Sequence, residues 1–153
     1  MKERHMVKVA VFLFLTKIGE NGKKQILLQK RINTGYMDEM YDTCASGHLD
    51  PNESIVEAII REAKEEVNIE IAPDDISLAV TYHASEKENG IEYLRFYFNL
   101  NHDYNGKIEI GEPEKCSELL WSDIDNLPEN TIWHLKKAID AYLKKLPYIQ
   151  DNF

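Results

Sequence analysis

Cysteine is scarce. Cys44 and Cys116 are the only two in 153 residues, too few for the disulfide framework of a secreted domain, and they read as reduced, buried thiols. Long apolar runs are missing as well. The stretch Val7–Leu15 is short, carries Lys8 and lacks a small-residue cleavage site after it, so no signal peptide is evident. No segment approaches the ~20 apolar residues of a membrane span. Basic residues are outnumbered, 18 against 27 acids, giving a formal charge of −9 and a pI near 5.0. That balance argues against non-specific binding to nucleic acid or to an anionic membrane. Repeats, low-complexity tracts and linkers are lacking too. These absences leave a single domain over residues 1–153 of a soluble, cytoplasmic protein, with an open question: how such an acidic chain would hold an anion.

What is present is an ordinary globular balance, 43% hydrophobic and 29% charged, enough to build a core without disulfides. Val7–Leu15 is rich in β-branched and aromatic residues and reads as a buried strand. The turn signal Glu20-Asn21-Gly22-Lys23 separates it from a partner strand, Gln25–Lys30, predicting a hairpin. Arg31–Tyr41 reads as a loop and Tyr41–Ala45 as a short strand. Ile76–His83 and Ile91–Leu100 are further strands around the charged turn Glu86-Lys87-Glu88-Asn89-Gly90, and Glu118–Trp121 is a last short one. Helices are expected at Ser54–Val67, where Val56, Ile60, Ala63 and Val67 recur at helical spacing, and at Ile132–Leu146, stopped by Pro147. Asn68 sits where a left-handed residue ends the first helix. The order predicts an α/β fold, a mixed sheet with helices packed on it.

Arg61-Glu62-Ala63-Lys64-Glu65-Glu66 is the informative stretch. Residues three and four apart on a helix are neighbours, so Glu62 stands beside Glu65 and Glu66 within a sector of roughly 100°. Such crowding costs helix stability, and a solvated face would offset it with lysines; only Arg61 and Lys64 are near. The cluster reads either as a charged solvent face or as a site for a hard divalent cation, because Mg²⁺ and Mn²⁺ prefer carboxylate oxygens. Such a cation would also supply the local positive charge an acidic chain needs to hold a phosphate.

From Gly47 to Ile69 the chain reads Gly47, five residues, Glu53, seven residues, Arg61-Glu62, Ala63, Lys64, Glu65-Glu66, Val67, Asn68-Ile69. This resembles the Nudix hydrolase (MutT-like) box, G-x5-E-x7-R-E-U-x-E-E-x-G-U, with Asn68 in place of the last glycine. The resemblance implies a Nudix α/β/α sandwich, with a mixed sheet between helices. It further implies Mg²⁺- or Mn²⁺-dependent hydrolysis of a nucleoside diphosphate linked to some group X, a small-molecule substrate with no nucleic acid or membrane partner. Glu62, Glu65 and Glu66 would be metal ligands, with the backbone carbonyl near Gly47, and Glu53 would pair with Arg61 to brace loop against helix. Family members take a general base from the box or from a loop outside it. Glu112, Glu114 and Glu118 precede Trp121, and Glu114 and Glu118 are the candidates. An alternative is a catalytically silent module that only binds nucleotide. An isopentenyl-diphosphate isomerase-like enzyme would need Cys44 as an active-site thiol without its usual context.

For substrate, Lys30, Arg31 and Arg95 could contact phosphate. Tyr36, Met37 and Tyr41 could stack on a base or other group, Tyr41 being equally readable as core. His48 reads as a ligand or a loop hydrogen-bonder, His83 and His134 as structural or exposed, and Trp133 as core. The tail Tyr148–Phe153 is a candidate to pack on a second copy, in a homodimer, or over the site.

Overall fold

The computed structural model describes residues 1–86 and 89–153. Its elements run β1 (Lys8–Phe14), β2 (Thr16–Ile18), β3 (Lys24–Arg31), β4 (Tyr41–Thr43), β5 (Ser46–His48), α1 (Ile55–Val67), a single 3₁₀ turn at Pro73–Asp75, β6 (Ile76–Ser85), β7 (Glu92–Leu100), β8 (Cys116–Asp123), α2 (Trp133–Leu143) and β9 (Tyr148–Asp151).

Two sheets form. The larger has the order β5-β1-β7-β6-β9; β1–β7 and β6–β9 are parallel, β1–β5 and β6–β7 antiparallel, so the sheet is mixed. In the smaller, β2 and β4 share one edge of β3 and β8 takes the other. Strand β1 is buried on both faces, as a central strand must be. Its alternation sorts the core: Val11 and Leu13 pack with Ala58, Ile59, Ala63 and Val67 of α1, while Phe12 and Phe14 pack with Leu135, Ala138 and Ile139 of α2. Helices therefore cover opposite faces, the α/β/α sandwich that the box resemblance implies.

Several details differ from the sequence reading. The first apolar run breaks after Phe14 and changes sheets, so the hairpin partner of β3 is the short β2, not β1. The inward face of α1 centres on Ile59, Ala63 and Val67, and Val56 and Ile60 flank it. β5 and β9 are strands where the sequence carries no strand signal. The tail is tied down as an edge strand parallel to β6, with Asn152 Nδ2 donating to the Ser85 carbonyl and Lys137 paired to Asp151. Of the expected turn at 86–90, residues 87 and 88 lie outside the described residues. No helix among the described residues is long and apolar enough to cross a membrane.

Candidate active site

Helix α1 is fixed at both ends by local chemistry. Ser54 Oγ accepts from Glu57 N and the Glu57 carboxylate accepts from Ser54 N, a reciprocal capping box. At the other end Asn68 adopts the left-handed conformation (φ 56°). The helix thereby starts and stops in the frame that turns Glu62 and Glu66 toward β5.

The loop before the helix is held by Arg61. Its Nε donates to Glu53 Oε2 (2.8 Å), its Nη2 to Glu53 Oε1 (3.0 Å) and to the His48 carbonyl (3.1 Å). This fork is bidentate, the strong form of the pair. The Arg61 hydrogen bonds, helped by one from Asp50 N, hold the Glu53 carboxyl down to about 2. Arg61 Nη1 also donates to Glu62 Oε1 (2.8 Å) and Glu65 Oε2 (3.3 Å), and Asp50 Oδ2 lies 3.3 Å from Nε, so one guanidinium faces four carboxylates.

Glu66 differs. Ser46 N donates to its Oε2 at 2.6 Å and Gln29 Nε2 to its Oε1 at 3.2 Å, both neutral donors. Desolvation raises its pKa well above the ordinary carboxylate range, and the Glu62 charge adds to the shift. Glu62 is raised too, by desolvation first, against the opposing Arg61 hydrogen bond. Gly47 makes this crowding possible, because a Cβ there would collide with the Glu62 carboxylate.

The donor set suits a hard cation: carboxyl oxygens of Glu62, Glu65 and Glu66, backbone oxygen at Gly47, and at Glu66 a desolvated carboxyl whose hydrogen-bond donors are neutral. Among the described residues no three acidic, His or Cys side chains already converge as a closed cage. The carboxylates are turned instead toward Arg61, Ser46 and Gln29.

These acids line a cleft of about 620 Å³ that takes its walls from both sheets. Arg31, Tyr36, Asp42, Arg95 and His134 line the same cleft. Arg31 donates from Nε to the Tyr36 carbonyl (2.9 Å) and from Nη2 to Thr34 Oγ1 (3.1 Å), with Asp42 3.7 Å from Nη1. Tyr36 OH donates to Glu86 Oε1 (3.2 Å) and lies 3.2 Å from His134 Nε2; burial first, then Glu86, push the phenol up to about 12. Arg95 is buried and paired to Glu86 at 2.7 Å.

Tyr41 stays out of the cleft. It belongs to the core on the α2 side, and its hydroxyl donates to Glu118 Oε1 (2.9 Å). Glu118 thus faces Tyr41, and Glu114 is exposed outside the lining. Sequence reasoning passed over Glu112, which does line the cleft. The segment before it docks on the end of α1, with Gly111 N donating to the Glu66 carbonyl (2.8 Å), and a Cβ at Gly111 would strike the Glu65 carbonyl. The glycine at 111 was the available signal. Cys44 and Cys116 are both free and buried; burial pushes the Cys44 thiol far up, which suits an inert thiol rather than a nucleophile. His48 lines the cleft, 5.9 Å from the Tyr93 ring, and Trp133 packs against the core.

Residues 5–142 match the NUDIX domain family. An NAD-capped RNA hydrolase NudC of Stutzerimonas stutzeri is 33% identical over 89 residues, 58% of this chain and 29% of that protein, so the chain spans less than a third of that relative's length. Among solved structures, a MutT NUDIX hydrolase from Burkholderia pseudomallei superposes with TM-score 0.75 at 21% identity, covering 89% of this chain and 98% of that one. The NUDIX domain of Shewanella oneidensis NrtR, solved with ADP ribose, gives 0.74 at 14% identity over 94% and 90%. At these identities the structures show a shared fold.

Proposed function

The chain belongs to the NUDIX domain family, and from that premise we propose that it hydrolyses a pyrophosphate linkage in a nucleoside diphosphate joined to a further group. The reading is carried by Glu66, a desolvated carboxyl with neutral hydrogen-bond donors, set beside Glu62 in a substrate-sized cleft. Glu62, Glu65, Glu66 and the Gly47 carbonyl would hold Mg²⁺ or Mn²⁺. When bound, such cations supply positive charge to phosphate oxygens and lower the pKa of a water.

The chain's own residues do the rest. Arg61 and Glu53 lock the 47–53 loop against α1 and keep Gly47 in place. Glu112, from the loop docked by Gly111, faces the cleft and would take the proton of the attacking water, the part the sequence offered to Glu114 or Glu118. Arg31 would hold phosphate oxygens and Tyr36 would flank the group beyond.

The test is a panel of nucleoside triphosphates, dinucleoside polyphosphates, nucleotide sugars and ADP-ribose with Mg²⁺ or Mn²⁺, reading phosphate and pyrophosphate. Release that stops with chelator is expected. Nucleotide binding by calorimetry with no turnover across the panel would instead indicate a silent binding module.

A further inference from the structure

We infer that Gln29 is a positioning residue for Glu66: its side-chain amide ties that carboxyl to the segment joining β4 to β5, and so fixes how the carboxyl is offered to a divalent cation. The inference rests on Glu66 as a metal ligand, the reading above, and adds a residue well outside Gly47–Ile69.

Gln29 sits on β3 with a strand on either side, Asp42 of β4 opposite it on one edge and Leu119 of β8 on the other. The sheet therefore holds its backbone, while its side chain, 4% exposed, reaches the wall of the cleft. Nε2 donates to the Thr43 carbonyl at 3.0 Å, to the Cys44 carbonyl at 3.2 Å and to Glu66 Oε1 at 3.2 Å. Carbonyls only accept, so the nitrogen of the amide, not its oxygen, must face them. The backbone alone thus sets which way the amide points.

The count of protons matters here. A side-chain amide has two N–H bonds and meets three acceptors. Two of these are fixed backbone carbonyls, and Glu66 Oε1 shares what they leave. Ser46 N, by contrast, gives Glu66 Oε2 a bond of 2.6 Å. One oxygen is anchored and the other is steered. Both are held from one short segment, since Thr43, Cys44 and Ser46 lie where the chain passes from the smaller sheet to the larger. Charge points the same way. Arg61 serves Glu53 and Glu62 as a cation, whereas Gln29 orients Glu66 with a neutral dipole and adds no positive charge beside the metal. Hydrogen-bonded partners of this kind hold a ligating carboxylate in the orientation a metal needs.

The experiment titrates Mn²⁺ into full-length protein without substrate and reads free Mn²⁺ by electron paramagnetic resonance. Glu66→Gln should weaken binding, which tests the metal reading itself. Gln29→Met, similar in length but without a donor, should weaken binding about 10–100-fold in the wild-type background. In the Glu66→Gln background the same change should cost less than about twofold, because the group it acts through is gone. A merely structural role, a looser link between β4 and β5, would cost the same in both backgrounds. In ¹⁵N NMR of wild type the Gln29 side-chain amide signals should shift on adding Mg²⁺, a readout that stands even if Gln29→Met misfolds. The positioning role alone is overturned if Glu66→Gln weakens Mn²⁺ and Gln29→Met does not, or if Gln29→Met costs the same in both backgrounds. It is equally overturned if the Gln29 amide signals stay put under saturating Mg²⁺. Mn²⁺ that fails to bind, or that binds wild type and Glu66→Gln alike, overturns the metal site and the positioning role together.

Discussion

Glu66→Gln should stabilise the metal-free protein while disabling it. In the folded chain this carboxylate is desolvated and receives hydrogen bonds from Ser46 N and Gln29 Nε2. Taking a carboxylate out of water costs several kcal/mol, and each hydrogen bond to the ion returns about 1.5–3 kcal/mol. The two bonds return about 3–6 kcal/mol, and since desolvation still raises the carboxyl's pKa, a deficit of about 1–2 kcal/mol remains while the group is ionised. Glutamine's carbonyl oxygen keeps the short bond from Ser46, its Nε2 replaces Oε1 opposite the Gln29 donor and must find water in the cleft that residue 66 lines, and the Gln29 amide still has the Thr43 and Cys44 carbonyls. At about 2–4 °C per kcal/mol for this size, the chelated variant should melt about 2–8 °C above wild type. The sign with pH follows. A carboxyl raised on folding contributes stability that is complete below its unfolded pKa and is lost as pH rises through the folded value. Wild type should thus gain on the variant as pH falls from 8 toward 5, and the two curves should approach. Added Mg²⁺ at about 100 times its Kd should stabilise wild type by about 2.7 kcal/mol and the variant far less. Scanning calorimetry with and without chelator measures all of this. A variant that melts at or below wild type without metal, or that hydrolyses substrate at full rate, refutes the reasoning.

Three further outcomes are expected. Gly47→Ala places a methyl where the Glu62 carboxylate sits; it should cost about 1–3 kcal/mol of stability and weaken Mn²⁺ binding about 10–100-fold, by analogy with disturbed ligand support, in a titration of activity against Mn²⁺. Arg61→Lys cannot reproduce the fork to Glu53 and should lower both melting temperature and kcat, with Arg61→Met worse because Glu53, Glu62 and Glu65 then lose their shared cation. The depressed Glu53 carboxyl contributes stability that is complete above its unfolded value, near 4.5, and is lost as pH falls toward about 2; an acid-unfolding series should show this limb in wild type and not in Glu53→Gln.

What could be read from the chain was local. The frame of α1 follows from Ser54 and Glu57 at one end and Asn68 at the other, each acting within four residues, and the acidic cluster follows from helical spacing alone. The switch of the first apolar run between sheets could not be read, since Leu15 and Thr16 are as apolar or β-branched as the strand before them. Glu112 escaped because its position depends on Gly111 meeting a helix more than forty residues earlier, a contact without sequence periodicity. Tyr41 and Tyr36 are similar residues in one neighbourhood, yet the pairing of β4 with β3 sends the first into the core and leaves the second in the loop over the cleft. The Arg95–Glu86 pair was equally invisible, joining a strand interior to the end of a different strand.

The most direct measurement is anomalous diffraction from crystals soaked in Mn²⁺. Peaks within coordination distance of Glu62, Glu65 and Glu66 oxygens, beside the Gly47 carbonyl, are predicted. Crystals of the active protein in which manganese binds elsewhere, with Glu66 still held only by Ser46 and Gln29, would contradict the account.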